Sequence, residues 1–144
     1  MKNIAIINGP NLNFLGIREK DIYGSKTLDD IEKMIIEKVK HFNISFFSSN
    51  IEGEIINYLQ DCFFNKIDGI IINAGAFTHY SYAIRDAIKS INIPTIEVHM
   101  SNVYKREDFR HKSVLAPVCI GQISGFLEDS YLIALDAFKY YFKK

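Results

Sequence analysis

Short apolar segments alternate with amphipathic ones five times along the 144 residues, and this alternation restricts the fold more than any other feature. The apolar segments predict strands, since they are short and rich in β-branched or aromatic residues. One of them, Ile70–Ile72, shows no polar alternation, as expected of a strand covered on both faces. The predicted strands are Ile4–Ile7, Ile44–Phe47, Asp68–Ile72, Thr95–His99 (led by Pro94) and Val118–Ile120.

The segments between these strands carry apolar residues at helical spacing. A first long helix is expected from the N-cap Thr27 to about His41, and a second along the face that runs from Ile55 to Phe63. A third helix is expected around Ala83–Ile91, and a final one from near Ser124 almost to the C-terminus. Regular alternation of strands and helices predicts an α/β fold with a parallel sheet covered on both faces.

The charge balance excludes some classes of partner. Lys+Arg and Asp+Glu number 17 each, so no global field favours nucleic acid or an acidic membrane. No segment approaches the ~20 apolar residues of a membrane span, and the chain opens on a strand instead of a signal segment, so we expect a cytoplasmic protein. Cys62 and Cys119 have apolar neighbours and predict buried free thiols. Without a linker or repeat, residues 1–144 are expected to form one domain.

Polar clusters follow the first, third and fourth predicted strands, and we expect the one after the second strand at the same edge. In parallel sheets, ligands collect beyond the carboxyl ends of the strands, near the switch in strand order. The convergence of these clusters therefore predicts a site at that edge.

The segment Asn8–Gly24 is long for a loop within a compact domain, which is typical of function. It contains Arg18 and Tyr23. A free tyrosine loses its proton only near pH ~10, so it acts as a base at neutral pH only where a cation such as Arg18 stabilises the phenolate. The alternative is that both residues simply pack and solvate a surface loop.

Asn73–His79 offers an amide, small residues and a histidine close to a helix start, where free N–H groups favour anions and hydroxyl-rich ligands. Equally, Thr78 could cap the helix while His79 faces water. The sequence leaves both possibilities open.

Glu97 and His99 lie two residues apart on a strand and so share a face. A carboxylate beside an imidazole orients it and stabilises its protonated form, which suits a general acid. Ser101 and nearby backbone N–H groups could hold a carboxylate, and Arg110 could reach an anionic or hydroxylated ligand through its planar fork. Asp86 is expected on a solvated helix face, unless it meets a neighbouring subunit.

Other site types are absent from the sequence. It has no Walker loop, dinucleotide fingerprint or Gly-x-Ser-x-Gly elbow, and its four histidines lack zinc-site spacing. We therefore expect acid, base and hydrogen-bond chemistry without a metal or an organic cofactor.

Seven motifs occur in order along the chain: Asn8–Asn13, Arg18–Glu19, Tyr23–Gly24, Ser49–Glu54, Asn73–His79, Glu97–Asn102 and Arg106–Arg110. This set resembles the type II 3-dehydroquinate dehydratases nearly end to end. The resemblance implies a flavodoxin-like three-layer subunit that assembles as a homododecamer, a tetramer of trimers. It also implies cofactor-free removal of water from 3-dehydroquinate to give 3-dehydroshikimate in the shikimate pathway.

By the same resemblance, Tyr23 takes the proton next to the ketone, and Arg18, on a mobile lid, stabilises the developing charge. Asn11 positions a water at the enolate oxygen, and His99 protonates the departing hydroxyl. The positions that match substrate-binding residues are Asn73, His79, Met100, Ser101 and Arg110, with Asp86 matching one contributed across the trimer interface.

The sequence departs from the family pattern at Ala74, Phe77 and Ser48, where proline, tyrosine and glutamine are common. The loss of the proline is expected to affect affinity more than activity.

Two other functions fit the same fold class. A flavodoxin-like binding module would hold a flavin or nucleotide without turnover, and the missing phosphate loop argues against it. A phospho-receiver domain needs an aspartate at the end of the third strand, where this chain has Asn73.

Overall fold

The computed structural model describes residues 1–144, which form one five-stranded sheet. All neighbouring strands pair in parallel, in the order β2-β1-β3-β4-β5. The predicted α/β fold with a five-stranded parallel sheet is thus confirmed, and the strand order reverses between β1 and β3. The strands are β1 Asn3–Asn8, β2 Asn43–Ser48, β3 Gly69–Asn73, β4 Thr95–His99 and β5 Gly121–Ser124.

Five α-helices accompany the sheet: α1 Lys20–Tyr23, α2 Leu28–Lys38, α3 Glu52–Phe64, α4 Tyr82–Ile91 and α5 Asp129–Tyr141. The N-terminus of α2 is closed by a capping box in which Thr27 Oγ1 accepts from the Asp30 N–H and the Asp30 carboxylate accepts from the Thr27 N–H. Short 3₁₀ turns occupy Leu12–Phe14, Gly75–His79, Val103–Lys105, Asp108–His111 and Ala116–Val118.

Each face of the sheet carries its own buried core. Ile4 and Ile6 of β1 point to the face covered by α2 and α5, whereas Ala5 and Ile7 point to the face covered by α3 and α4. Because both faces are covered, the central strands contain almost only apolar residues.

The predicted position of the fifth strand was wrong, since β5 begins three residues later than Val118. Pro117 lacks an N–H, and the N–H groups of Val118 and Cys119 turn back to Leu115 and Ala116, so they cannot join the sheet. Pairing begins only when the Ile120 N–H donates to Thr95 O.

The predicted start of the last helix was also wrong, since α5 begins at Asp129 and not near Ser124. Ser124 ends β5, and Gly125 and Leu127 then adopt positive φ angles of 102° and 50°. A right-handed helix cannot run through these two residues. The first long helix likewise ends at Lys38, before His41.

The segment Asn8–Gly24, expected to be a loop, contains the turn Leu12–Phe14 and the single-turn helix α1.

Cys62 is buried in α3, and Cys119 is half-buried just before β5; neither is paired in a disulfide. No helix combines the length and hydropathy that crossing a bilayer requires.

Candidate active site

A cavity lies at the carboxyl edge of β1, β3 and β4, beside the reversal in strand order. Nine of the ten predicted site residues line it: Asn11, Arg18, Tyr23, Asn73, His79, His99, Met100, Ser101 and Arg110. The tenth, Asp86, is exposed on α4 and does not line the cavity of its own chain. The residues named as separate clusters in the sequence thus share one site.

Glycine at position 9 allows the loops after β1 and β3 to meet at this edge. A Cβ on Gly9 would lie 2.6 Å from Ala74 O, far inside van der Waals contact. The Gly9 N–H also donates to Asn73 O at 2.7 Å. This close backbone contact holds together the two loops whose next residues, Pro10 and Gly75, line the cavity.

Tyr23 is 9% exposed and lies between two guanidinium groups. Its phenol oxygen accepts from Arg18 Nη2 at 3.2 Å and from Arg106 Nη1 at 2.5 Å. The two guanidinium carbons lie 4.2 and 5.1 Å from the ring centroid. Two cationic donors thus share one phenol oxygen, and hydrogen bonds from charged donors are the strong ones in proteins.

Arg106 is the site residue to which the sequence analysis assigned no role. Its side chain is 9% exposed, and Nη1 also donates to Ser101 Oγ at 3.2 Å. Nothing in its local sequence distinguishes it from the exposed Lys105 beside it. Only a tertiary contact with Tyr23 reveals its position.

His99 ends β4 and forms a buried pair with Glu97. Its Nε2–H donates to Glu97 Oε2 at 2.6 Å, which leaves Nδ1 without a protein partner. Burial alone would raise the pKa of the Glu97 carboxyl, but the hydrogen bond and charge of His99, with hydrogen bonds from Ser113 and Gln122, bring that pKa below its usual value. The carboxylate therefore stays ionised and orients the imidazole.

The alternatives left open for Thr78 and His79 are now decided. Ser81, and not Thr78, caps α4 by accepting from the Ile84 N–H. His79 faces the cavity, and its Nδ1–H donates to Lys112 O at 2.8 Å. Burial is the main cause that lowers the pKa of His79, so the neutral ring has its Nε2 lone pair free to accept a hydrogen bond.

Asn11 and Arg110 complete the wall. Asn11 adopts a left-handed φ of 69°, which asparagine tolerates, and its N–H donates to Asn50 Oδ1 at 2.9 Å. Its own side chain makes no hydrogen bond to the protein. Arg110 Nε donates to Glu107 Oε2 at 2.9 Å, which holds the guanidinium at the rim.

Comparisons with known proteins identify the family of this chain. The sequence model of the family described as Dehydroquinase class II matches residues 2–139. The chain belongs to the class II dehydroquinase family. A protein named 3-dehydroquinate dehydratase from Caldicellulosiruptor bescii is 62% identical over 141 residues, which cover 96% of this chain and 97% of that protein. One of the same name from Clostridium perfringens (strain SM101) is 59% identical over 142 residues, covering 97% of both.

Solved structures give the same result for the fold. A type II dehydroquinase from Butyrivibrio crossotus aligns with a TM-score of 0.93 at 53% identity and covers 96% of this chain and 97% of its own. A type II dehydroquinase from Propionibacterium acnes aligns at 0.91 and 35% identity, with 96% of each chain covered. The predicted family, the flavodoxin-like fold and the hydro-lyase class are confirmed.

No group of three or more His, Cys, Asp or Glu side chains is arranged to hold a metal ion.

Proposed function

We propose that this class II dehydroquinase eliminates water from 3-dehydroquinate to give 3-dehydroshikimate, with Tyr23 as base and His99 as acid. The curated relatives described above carry the name 3-dehydroquinate dehydratase, which supports the substrate. The observation that carries the proposal is the phenol oxygen of Tyr23 between two guanidinium groups, in a cavity that also contains His99.

The proposal assigns the stabilisation of the Tyr23 phenolate to the two arginines together. Holding a phenol as its anion at neutral pH requires about 4 kcal/mol, since each tenfold change in ionisation corresponds to about 1.4 kcal/mol. A hydrogen bond to a charged group contributes roughly 1.5–3 kcal/mol, so two of them supply about the required amount. Neither arginine alone does so.

Proton abstraction is the first step. The Tyr23 phenolate takes the proton from the carbon next to the ketone, and the electron pair of that C–H bond moves to the ketone oxygen to form an enolate. A water that hydrogen-bonds to the free side chain of Asn11 stabilises the enolate oxygen.

Loss of the hydroxyl is the second step. The imidazolium of His99 gives its Nδ1 proton to the hydroxyl, the C–O bond breaks, and water leaves while the enolate electrons form the conjugated double bond. The proton held by Tyr23 then returns to His99 through solvent, so the net change is the loss of one water.

The remaining residues bind the substrate. Because Ser101 Oγ accepts from Arg106, its own proton is free to donate to the substrate carboxylate, together with backbone N–H groups at Met100–Ser101. Asn73, with an unused amide N–H, and His79, with a free Nε2, can donate to and accept from a ring hydroxyl. Arg110 reaches the same ligand from the rim.

Turnover is tested by incubating EDTA-treated protein with 3-dehydroquinate and following the enone absorbance of the product. Wild type should convert the substrate, and Tyr23→Phe should fold and bind it while losing nearly all turnover. Full activity of Tyr23→Phe would exclude the phenolate as base.

We further propose that the chain is a cytoplasmic homododecamer of the shikimate pathway. This assembly would be a tetramer of trimers in which Asp86 reaches the site of a neighbouring subunit. Two features support the contact with a neighbouring subunit. Asp86 is exposed outside its own cavity, and Arg106 Nε is buried without a partner at the site. Light scattering should give about twelve times the 16.6 kDa of one chain, and Asp86→Ala should raise KM. A monomer with full activity would contradict both statements.

A further inference from the structure

A buried tyrosine outside the cavity contacts two asparagines at its edge. Tyr131 lies on α5 and is 0% exposed. Its hydroxyl lies 3.0 Å from Asn73 Nδ2 and hydrogen-bonds to Asn8 Oδ1. Asn8 and Asn73 are paired residues at the carboxyl ends of β1 and β3, so the phenol links the two central strands at the site.

Gly75, Asn73, Tyr131 and Asn8 form a series of hydrogen bonds. The direction of each of these hydrogen bonds follows from the Gly75 N–H. The Gly75 N–H donates to Asn73 Oδ1 at 3.3 Å, so the carbonyl end of the amide faces Gly75 and the NH₂ end faces Tyr131. An NH₂ group only donates, and the phenol oxygen must therefore accept from Asn73. The phenol proton is then given to Asn8 Oδ1.

Tyr131 keeps that proton at every physiological pH. Burial raises the pKa of its phenol far above the ordinary value of 10.0. It is therefore a permanent single donor. In this series each hydrogen bond is therefore donated in one fixed direction, from Gly75 through Asn73 and Tyr131 to Asn8.

We propose that Tyr131 is a positioning residue that fixes the orientation of the Asn73 amide, so that the second N–H of Asn73 always faces the substrate. Asn73 is 4% exposed and lines the cavity, and that N–H has no protein partner. Together with the Nε2 acceptor of His79, which lines the same cavity, a fixed donor from Asn73 recognises a hydroxyl group in one orientation. This inference rests on the proposed function for its substrate, but not for its geometry.

The test is a double-mutant cycle in steady-state turnover of 3-dehydroquinate. Tyr131→Phe should raise KM about fivefold to tenfold, the loss expected for one misaligned neutral hydrogen bond, while kcat changes less than about twofold. In an Asn73→Ala background, Tyr131→Phe should change KM by less than about twofold, because the amide on which it acts is gone. The matched control is Tyr140→Phe, an exposed tyrosine on the same helix, which should leave both constants unchanged.

Two kinetic results would overturn the proposal: an unchanged KM in Tyr131→Phe, or the same increase in KM with and without Asn73. If Tyr131→Phe does not fold, Asn8→Ala replaces it in the cycle, since it removes the acceptor of the phenol proton and leaves the core ring in place. The same outcomes then apply.

A crystal structure of Tyr131→Phe tests the positioning role independently of the proposed function. The Asn73 amide should be rotated or disordered relative to wild type, whether or not the wild type turns over 3-dehydroquinate. Absence of wild-type turnover would contradict the function alone, whereas an unmoved amide would contradict the positioning role alone.

Discussion

Arg106 Nη1 donates to the phenol oxygen of Tyr23 at 2.5 Å across 83 residues of sequence. The contact joins the segment after β4 to the single-turn helix α1, and it brings a second cation to an oxygen that Arg18 already contacts. The surroundings of this phenol oxygen therefore depend on how two distant segments meet.

Replacing Arg106 by glutamine should lower kcat by about tenfold to a hundredfold, because the loss of one charged hydrogen bond costs roughly 1.5–3 kcal/mol. Steady-state kinetics measures the effect. Lys105→Gln removes an exposed cation from the adjacent position and should leave kcat unchanged. Equal losses in both variants would mean that a general field, and not the contact with Tyr23, activates the phenol.

Much of the site was predictable because strand ends are local features. Asn73 and His99 follow directly from the apolar runs before them, and a parallel sheet brings such ends to one edge. Arg106 was not predictable, since an arginine in a polar segment next to Lys105 has the composition of a solvated turn. Its burial against Tyr23 is a property of the folded chain alone.

The errors in element bounds have similar causes. Val118–Ile120 has the composition of a strand, but Pro117 favours a turn whose N–H groups bond backwards. The late start of α5 depends on Leu127 adopting a positive φ, which leucine rarely does and no propensity predicts. Tertiary contacts override local preference at both places.

Binding should depend on pH through His79. Burial, reinforced by the charges of His99 and Arg110, holds the pKa of His79 below 6.5. Its Nε2 therefore accepts a hydrogen bond at neutral pH and loses that ability as pH falls through the lowered pKa. KM should be flat above pH 6.5 and rise below it, whereas His79→Gln keeps an acceptor oxygen and should show no such rise. A rise of the same size in both proteins would assign the effect to another group.

Glu97 should stabilise the fold in a defined pH range. Its pKa is lowered, so its contribution is fully present above the unfolded value of 4.5 and is lost as pH falls through the folded value below that. Urea unfolding should show wild type more stable than Glu97→Gln just above pH 4.5, with the difference in unfolding free energy narrowing in more acidic buffer. A gap that widens on acidification would contradict the ionised carboxylate.

The two thiols should be inert in the folded protein. Burial raises the pKa of Cys62 to about 11 and that of Cys119 to about 12, and only the thiolate reacts with disulfide reagents. A chromogenic disulfide reagent at pH 8 should detect almost no thiol in native protein and both thiols after denaturation. Rapid labelling without denaturant would show that one cysteine is more accessible than the structure allows.

Two glycines offer a matched test of the close contact between the loops after β1 and β3. Gly9→Ala forces a Cβ to within 2.6 Å of Ala74 O, so the loops after β1 and β3 must separate, and both Tm and affinity for substrate should fall. Gly53→Ala, in helix α3, meets nothing within 4 Å and should stabilise the protein by about 0.4–1 kcal/mol, because it reduces the entropy of the unfolded chain. Thermal unfolding and KM distinguish the two. If Gly9→Ala kept wild-type KM, the close contact of these loops would not be needed to form the site.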